Sequence, residues 1–391
     1  MMKNILALMV GLVLAFLVGE LACRFLLPVS SVRYYYDREI GTTLAPGSRM
    51  RWVSKGDFNS VVLTNTHGFH DREHAYEKEK GVFRVVVLGD SFMEALQVPI
   101  EEGFCQRLEE DLKRLTGKNR IEVINLGLSG RGPAQHYAIL KERGLKYRPD
   151  LVIMALLPGN DFSDTSFKIS QSPYKPYYWI DEMERLQARP LHVPPWYSPR
   201  SLLQRSSLAY YLVYEILKNQ TLAKGFTGLG LIPRTTGSVS DNSHRENEAK
   251  PPLPFTFGLY QNEPPPLWKE AYRVTLRMIA EARDLSRLNH AGFFVFTIPV
   301  KADIEMDQNE RLASYKEEDI DFMRPFKEIQ TYCDEKDIPC LDLTGPFREE
   351  FGKHGRSFTW SHDGHWNPYG HDLAARLVAL KLVQSGLIHL K

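Results

Sequence analysis

From residue 83 onward, the sequence repeats one pattern: a short apolar run, a turn, and then an amphipathic segment. Short runs that are apolar at every position are typical of strands buried on both faces, and the amphipathic segments have helical spacing. Strands that alternate with helices form a parallel sheet with helices on both faces. The sequence therefore predicts a three-layer α/β/α sandwich with a mainly parallel central sheet.

The predicted strands are 83–90, 121–127, 149–161, 292–300 and 339–343, and the predicted helices are 101–117, 132–147, 266–289, 324–336 and 370–386.

One long segment interrupts this alternation of strands and helices. Residues 164–262 are rich in proline, aromatic and polar residues, and we interpret them as an insertion into a domain that spans 83–391. We expect its polar part, about 234–254, to be a mobile loop. The aromatic residues between 173 and 197 either line a substrate groove or hold a long loop against the body.

Residues 1–28 contain Lys3 and then an uninterrupted apolar run from Ile5 to Val18. A helix from Ile5 to Leu27 would be about 35 Å long, which is enough to cross a bilayer. We predict an uncleaved membrane anchor, with a cleaved signal peptide as the main alternative and a buried core helix as a third. Because Lys3 stays inside, the first two interpretations place the remaining chain in the periplasm, at the cell surface or in the medium. Residues 29–82 are predicted to be a connecting extension.

Charge balance and cysteine spacing exclude several classes of protein. The 49 Lys and Arg residues nearly cancel the 48 Asp and Glu residues, so no net field attracts nucleic acid. The four cysteines lack the paired spacing of a zinc site, and GLSGRG lacks the glycine spacing of a nucleotide-binding loop. We predict no nucleic-acid partner, no metal and no cofactor. Cys333 and Cys340 are either bridged, if the domain is extracytoplasmic, or separate buried thiols.

Ser91 stands where the first predicted strand ends and a helix begins, at the edge of a parallel sheet where ligand sites form. Alone, it would be interpreted as a helix cap. Three further turns belong to the same predicted edge: NLGLSG (125–130), PGND (158–161) and HDGHWNPYGH (362–371). Together they supply a nucleophile, a base and hydrogen-bond donors, which are the groups that acyl transfer from an ester requires.

Each of these residues has an expected role in that chemistry. His365 is the predicted base that takes the proton of Ser91, and Asp363 is expected to hold the other ring nitrogen of His365. The predicted donors to the oxyanion are the backbone N–H groups of Ser91 and Gly127 and the side-chain amide of Asn160. Glycine at 127 allows the backbone to approach the reacting oxygen closely.

Other polar residues lie near these motifs in the sequence, and we predict no catalytic role for them. His362 and His371 are rival bases, which we place at the surface or behind the site. Asp90 is expected to bond to neighbouring backbone in the tight turn. Arg131 and Gln135 are interpreted as exposed residues at the start of a helix.

The four motifs resemble the sequence blocks of SGNH (GDSL-type) hydrolases, in the expected order: GDS (Ser91), NLGLSG (Gly127), GND (Asn160) and DGHWNPYGH (Asp363, His365). The resemblance covers residues 83–163 and about 265–388. Two departures stand out. Pro158 takes the usual glycine position of the third block, and the aspartate stands two residues before the histidine rather than three. That spacing resembles alginate-type O-acetyltransferase relatives.

These observations predict an extracytoplasmic serine esterase or O-acyltransferase that acts on a small acyl ester through an acyl-enzyme. A cell-envelope polysaccharide as the substrate and a membrane acyltransferase as a partner are implied by the resemblance and by the predicted location. The alternative is a non-catalytic envelope component that binds glycan or docks onto a membrane acyltransferase. Such a component would be expected to have a damaged set of site residues, whereas this chain has all five.

Overall fold

The computed structural model describes residues 2–23, 30–191, 206, 208, 212, 255–307, 310–311 and 319–388. Helix α1 spans Met2–Leu21. Its stretch Lys3–Leu21 has a mean hydropathy of 2.2, and none of that stretch is buried. By length and composition, α1 is able to span a membrane or to act as a signal sequence. The mobile loop predicted at about 234–254 lies outside the described residues.

The extension between α1 and the first predicted strand forms two antiparallel hairpins. β1 (Tyr34–Asp37) pairs with β2 (Gly41–Leu44), and β3 (Arg49–Ser54) pairs with β4 (Phe58–Leu63). Apolar side chains of both hairpins pack in one cluster with Leu96, which follows the Ser91 turn. The extension is therefore folded against the part of the chain that carries the first motif.

A parallel sheet lies at the centre of the domain. The further strands described are β5 (Phe83–Leu88), β6 (Ile121–Asn125), β7 (Leu151–Leu156), β8 (Tyr177–Ile180), β9 (Leu186–Arg189), β10 (Gly292–Thr297) and β11 (Cys340–Asp342). The central sheet is parallel throughout, with five strands in the order β11-β10-β7-β5-β6. β8 and β9 pair as an antiparallel hairpin within the segment predicted to be an insertion.

Helices cover both faces of this sheet. The further helices described are α2 (Ser91–Glu94), α3 (Phe104–Thr116), α4 (Pro133–Glu142), α5 (Pro158–Thr165), α6 (Phe167–Ser170), α7 (Pro266–Leu288), α8 (Lys301–Glu305), α9 (Arg324–Glu335), α10 (Thr344–His354) and α11 (Pro368–Gln384). Val85 and Val87 of β5 pack with α3, α10 and α11, whereas Val86 and Leu88 pack with α4, α7 and α9. Alternate residues of one strand thus enter two separate cores. The predicted α/β/α sandwich with a mainly parallel sheet is confirmed.

Two local predictions need correction. The third predicted strand, 149–161, ends at Leu156, and its last residues begin α5. Pro158 favours this helix start because its fixed φ suits the first helical position and its missing N–H costs nothing there. Sequence reasoning also missed α10, because its segment TGPFREEFGKH contains two glycines and a proline that weaken a helical pattern.

The cysteine pair at the end of the sheet is not bridged. Cys333 lies in α9 and Cys340 begins β11, and both have free thiols. A hydrogen bond with Cys333, together with burial, raises the pKa of the Cys340 thiol well above its ordinary value. Of the two arrangements considered from the sequence, the structure has free thiols rather than a disulfide.

Candidate active site

Ser91 lies at the carboxyl edge of the sheet, just after β5. Asp90 caps α2, because its side chain accepts a 3.0 Å hydrogen bond from the N–H of Phe92. A side chain at Gly89 would come within 2.3 Å of Met93 Cγ, so the turn requires glycine at this position. The predicted structural role of Asp90 is confirmed, and Ser91 takes the first position of the helix.

A chain of hydrogen bonds links the hydroxyl of Ser91 to His365 and, through His365, to Asp363. Its Oγ lies 2.7 Å from Nε2 of His365, and Nδ1 of His365 lies 2.5 Å from Oδ1 of Asp363. Both partners belong to the loop between α10 and α11, in which the N–H of Trp360 donates to the carbonyl of His365 at 2.9 Å. The Phe92 ring packs against the imidazole with 4.9 Å between centroids. The structure thus brings Ser91, His365 and Asp363 together in one hydrogen-bonded chain.

The charges around His365 favour its action as a base. Burial lowers the pKa of His365, but the hydrogen bond and the charge of Asp363 raise it above its ordinary value. Asp90 and Glu94 add smaller contributions in the same direction. Glu94 is itself buried, which raises its pKa to about 7. A carboxylate on Nδ1 keeps the proton on that nitrogen and leaves Nε2 free to accept one from Ser91.

The two rival histidines lie away from the nucleophile. The imidazole of His362 is 68% exposed, and its Nδ1 lies 3.0 Å from Oδ1 of Asp57. His371 is buried beside the ring of Trp366, and burial lowers its pKa to about 3. In the described part of the chain, His365 is the histidine that contacts Ser91.

The two glycines of the turn at 125–130 differ in their contacts. The N–H of Gly127 donates to Oδ1 of Asn125 at 2.9 Å, and a side chain at 127 would come within 2.5 Å of the backbone nitrogen of Glu94. Glycine is thus required at 127 for packing against α2. Gly130 has a φ of +64°, and its N–H has no acceptor among the described residues. Gly130, the second glycine of NLGLSG, was not singled out from the sequence.

Two of the predicted oxyanion donors follow neighbouring strands. Ser91 follows β5 and Asn160 follows β7, and these strands are paired in the sheet. Within the described ranges, neither the backbone N–H of Ser91 nor the side-chain amide of Asn160 has a protein acceptor. Both groups are therefore available to a negatively charged oxygen. The N–H of Gly127 already donates to Oδ1 of Asn125. This contact does not support the oxyanion role of Gly127, which stays a prediction.

Residues of the N-terminal extension contact the elements that carry the site. Oδ2 of Asp71 accepts a 2.7 Å hydrogen bond from the N–H of Asn125. The hydroxyl of Tyr34 donates to Oε2 of Glu94 at 3.3 Å. Sequence reasoning did not find these contacts, because the partners are far apart in the chain and the extension has no motif.

The prediction that Arg131 and Gln135 are exposed is wrong. Both side chains are buried. Nη2 of Arg131 donates to the carbonyl of Thr42 at 2.8 Å, and Nε2 of Gln135 donates to the carbonyl of Pro176 at 2.7 Å. The backbone at Thr42 and Pro176 therefore covers the start of α4, and these two polar side chains donate hydrogen bonds to it.

In the described parts of the chain, no three His, Cys, Asp or Glu side chains are grouped as they would be around a metal ion. The site offers a hydroxyl, an imidazole, a carboxylate and N–H donors.

Sequence comparison finds no match, since neither a protein-family profile nor a curated protein matches the chain. Solved structures are similar to it. An acetyl xylan esterase is 15% identical with a TM-score of 0.39, covering 78% of this chain and 100% of that chain. A lipolytic protein of the G-D-S-L family from Desulfitobacterium hafniense is 12% identical with a TM-score of 0.37, covering 76% and 99%. A GDSL-like lipase from Bacteroides thetaiotaomicron is 12% identical with a TM-score of 0.34, covering 80% and 93%.

Proposed function

We propose that the chain is a serine ester hydrolase that forms an acyl-enzyme on Ser91. The observation that carries this proposal is the hydrogen-bonded chain from Ser91 Oγ to His365 Nε2 (2.7 Å) and from His365 Nδ1 to Asp363 Oδ1 (2.5 Å). His365 takes the hydroxyl proton as Oγ attacks the ester carbonyl, and it then gives this proton to the leaving alcohol. His365 next deprotonates water, which attacks the acyl-enzyme, releases the carboxylic acid and restores Ser91.

Asp363 assists by stabilising the imidazolium that forms in each step. Its carboxylate lies against Nδ1, and its charge already raises the pKa of His365 in the resting protein. A higher pKa makes His365 a stronger base towards the weakly acidic hydroxyl of Ser91. The carboxylate itself stays ionised during the reaction.

The negative oxygen of the tetrahedral intermediate needs fixed donors. We assign two of them to the backbone N–H of Ser91 and the side-chain amide of Asn160. The third comes from the glycine turn. Gly127 is the residue expected from the sequence, but Asn125 holds its N–H, so Gly130 is the stronger candidate.

The substrate class and the location are part of the proposal. We place the domain outside the cytoplasm, with α1 as its membrane anchor. For this location we propose small acyl esters of cell-envelope carbohydrate as the substrates. When a sugar hydroxyl rather than water attacks the acyl-enzyme, the same residues perform O-acyl transfer. In that case a membrane acyltransferase is the partner that would supply the acyl group.

Release of p-nitrophenol from p-nitrophenyl acetate by the full chain in detergent tests the chemistry. We expect Ser91→Ala and His365→Ala each to lower kcat by about 10⁴-fold or more, because both residues act in one unit. His354→Ala is the matched control, since this histidine is exposed at the end of α10 beside Glu350, and its kcat should stay near that of the wild type. Equal rates for the wild type and Ser91→Ala would contradict the proposal and favour a non-catalytic, glycan-binding role.

A further inference from the structure

Asp57 binds the loop that carries Asp363 and His365, although it lies outside the four sequence motifs. It lies in the turn between β3 and β4, and its side chain is only 2% exposed. Its Oδ1 accepts a 3.2 Å hydrogen bond from the N–H of Ser361, and its Oδ2 accepts bonds of 2.8 and 2.9 Å from the N–H groups of His362 and Asp363. One carboxylate therefore holds three successive backbone N–H groups, the last of them on Asp363.

The same carboxylate also orients a side chain on the loop. Nδ1 of His362 lies 3.0 Å from Oδ1 of Asp57. Burial raises the pKa of Asp57, but its hydrogen bonds with the side chain and backbone of His362 and with the backbone of Asp363 bring the pKa below its ordinary value. Asp57 is thus ionised at neutral pH, and its bonds to the loop are charge-assisted.

Neighbours of Asp57 pack on the same loop. The Phe58 ring lies 5.5 Å from the Trp360 ring, centroid to centroid. A side chain at Gly56 would come within 3.3 Å of Cε1 of His362, so the turn between β3 and β4 sits close against the loop. The β3–β4 hairpin therefore packs on the loop that carries Asp363 and His365 through both apolar and polar contacts.

From these contacts we propose that Asp57 is a positioning residue that fixes Asp363 against His365. The inference rests on the proposed function, because it assigns Asp57 a part in the same Ser91 chemistry. Asp57 acts through the backbone of residue 363. It holds that backbone so that Oδ1 of Asp363 meets Nδ1 of His365 at 2.5 Å. A small displacement of a catalytic group is enough to slow a reaction strongly.

Asp57→Ala tests this role with p-nitrophenyl acetate as the substrate. We expect kcat to fall by about 10- to 100-fold with KM unchanged, because the loop loses its anchor while the acyl site is untouched. We also expect the acid limb of the kcat profile to move to lower pH. His365 must be neutral to act as the base, and a loosened Asp363 raises its pKa less. Asp90 and Glu94, which also raise that pKa, are unchanged.

Asp181→Ala is the matched control. Asp181 lies in the turn between β8 and β9, and its Oδ1 accepts 2.9 Å hydrogen bonds from the N–H groups of Met183 and Arg185. Like Asp57, it lies in a hairpin turn and accepts backbone N–H groups, but these belong to its own turn and not to the loop that carries Asp363. Its variant should keep the wild-type kcat and acid limb. An Asp57→Ala variant with wild-type kcat, or with an unmoved acid limb, would overturn the proposal.

Two further measurements separate positioning from a general loss of folding. Asp57→Asn keeps the size of the side chain but loses one acceptor oxygen, so its kcat should lie between those of the wild type and Asp57→Ala. In an Asp363→Ala background, Asp57→Ala should cost little more, because the group that it positions is already gone. If the two substitutions lower kcat by independent factors that multiply in the double variant, Asp57 does not act through Asp363 and the proposal is refuted.

A spectroscopic measurement keeps this test distinct from the proposed function. The proton on Nδ1 of His365, bonded to Asp363 at 2.5 Å, should give a strongly downfield NMR resonance that His365→Ala removes. We expect Asp57→Ala to weaken or shift it, and Asp181→Ala to leave it unchanged. If the wild type is inactive but Asp57→Ala alters this resonance, the proposed function fails and the positioning role stands. An unaltered resonance rejects the positioning role even if the enzyme is active.

Discussion

Replacing Asp363 by asparagine tests the electrostatic part of the mechanism, because it removes a charge and nearly preserves the shape. In the reaction, His365 becomes an imidazolium beside the carboxylate. Two unit charges about 4 Å apart interact by about 4 kcal/mol at an effective dielectric constant of about 20. Since about 1.4 kcal/mol corresponds to a tenfold change in rate, the loss amounts to about 10³-fold in kcat. The side chains of His365 and Asp363 are 25% and 15% exposed, so solvent screens this interaction only in part.

The assay is the pH dependence of kcat for p-nitrophenyl acetate, with wild type and Asp363→Asn compared in the same buffers. The base must be neutral, so activity rises as pH increases through the pKa of His365. Asp363 raises that pKa, and its replacement should therefore move the acid limb to lower pH while kcat falls. His354→Ala provides the control, because it removes an exposed histidine of α10 that contacts neither Ser91 nor Asp57 in the described part of the chain. A decrease of less than about tenfold, with the acid limb unmoved, would refute the assignment of Asp363.

Two other variants test the donors and the turn. Asn160→Ala should lower kcat by about 10²-fold, because the mutation removes a donor to the oxyanion. Tm should not change, because the amide is exposed and has no partner in the described ranges. An unchanged kcat would exclude Asn160 from the oxyanion site. Gly127→Ala should destabilise the protein by about 1–3 kcal/mol, since its side chain would come within 2.5 Å of the backbone nitrogen of Glu94. Denaturant unfolding measures this loss, and wild-type stability would show that the close packing is absent in solution.

Sequence reasoning was most reliable where a local pattern determines local structure. The apolar runs of β5, β6 and β7 and the amphipathic pattern of α3 depend on neighbouring residues, and the structure has each of these elements. The turn motifs likewise predicted that Ser91 and Asn160 lie at one edge of the sheet, and the structure has both after strands that pair with each other. Reasoning of this kind fails where the partner is remote, as for the buried side chain of Arg131, whose acceptor is the carbonyl of Thr42. No periodicity within a segment encodes such a contact.

The extension shows why motif residues alone do not define the site. Asn125 of the second motif is held by Asp71, and the loop that carries the base is held by Asp57. Both carboxylates belong to residues 30–82, which have no motif of their own, and both accept backbone N–H groups of the motifs. A backbone donor is present at nearly every residue, so the motif sequence gives no sign that it needs an acceptor from elsewhere. The motifs therefore predict the chemistry of the site. The contacts that hold the second and fourth motifs are found only in the folded chain.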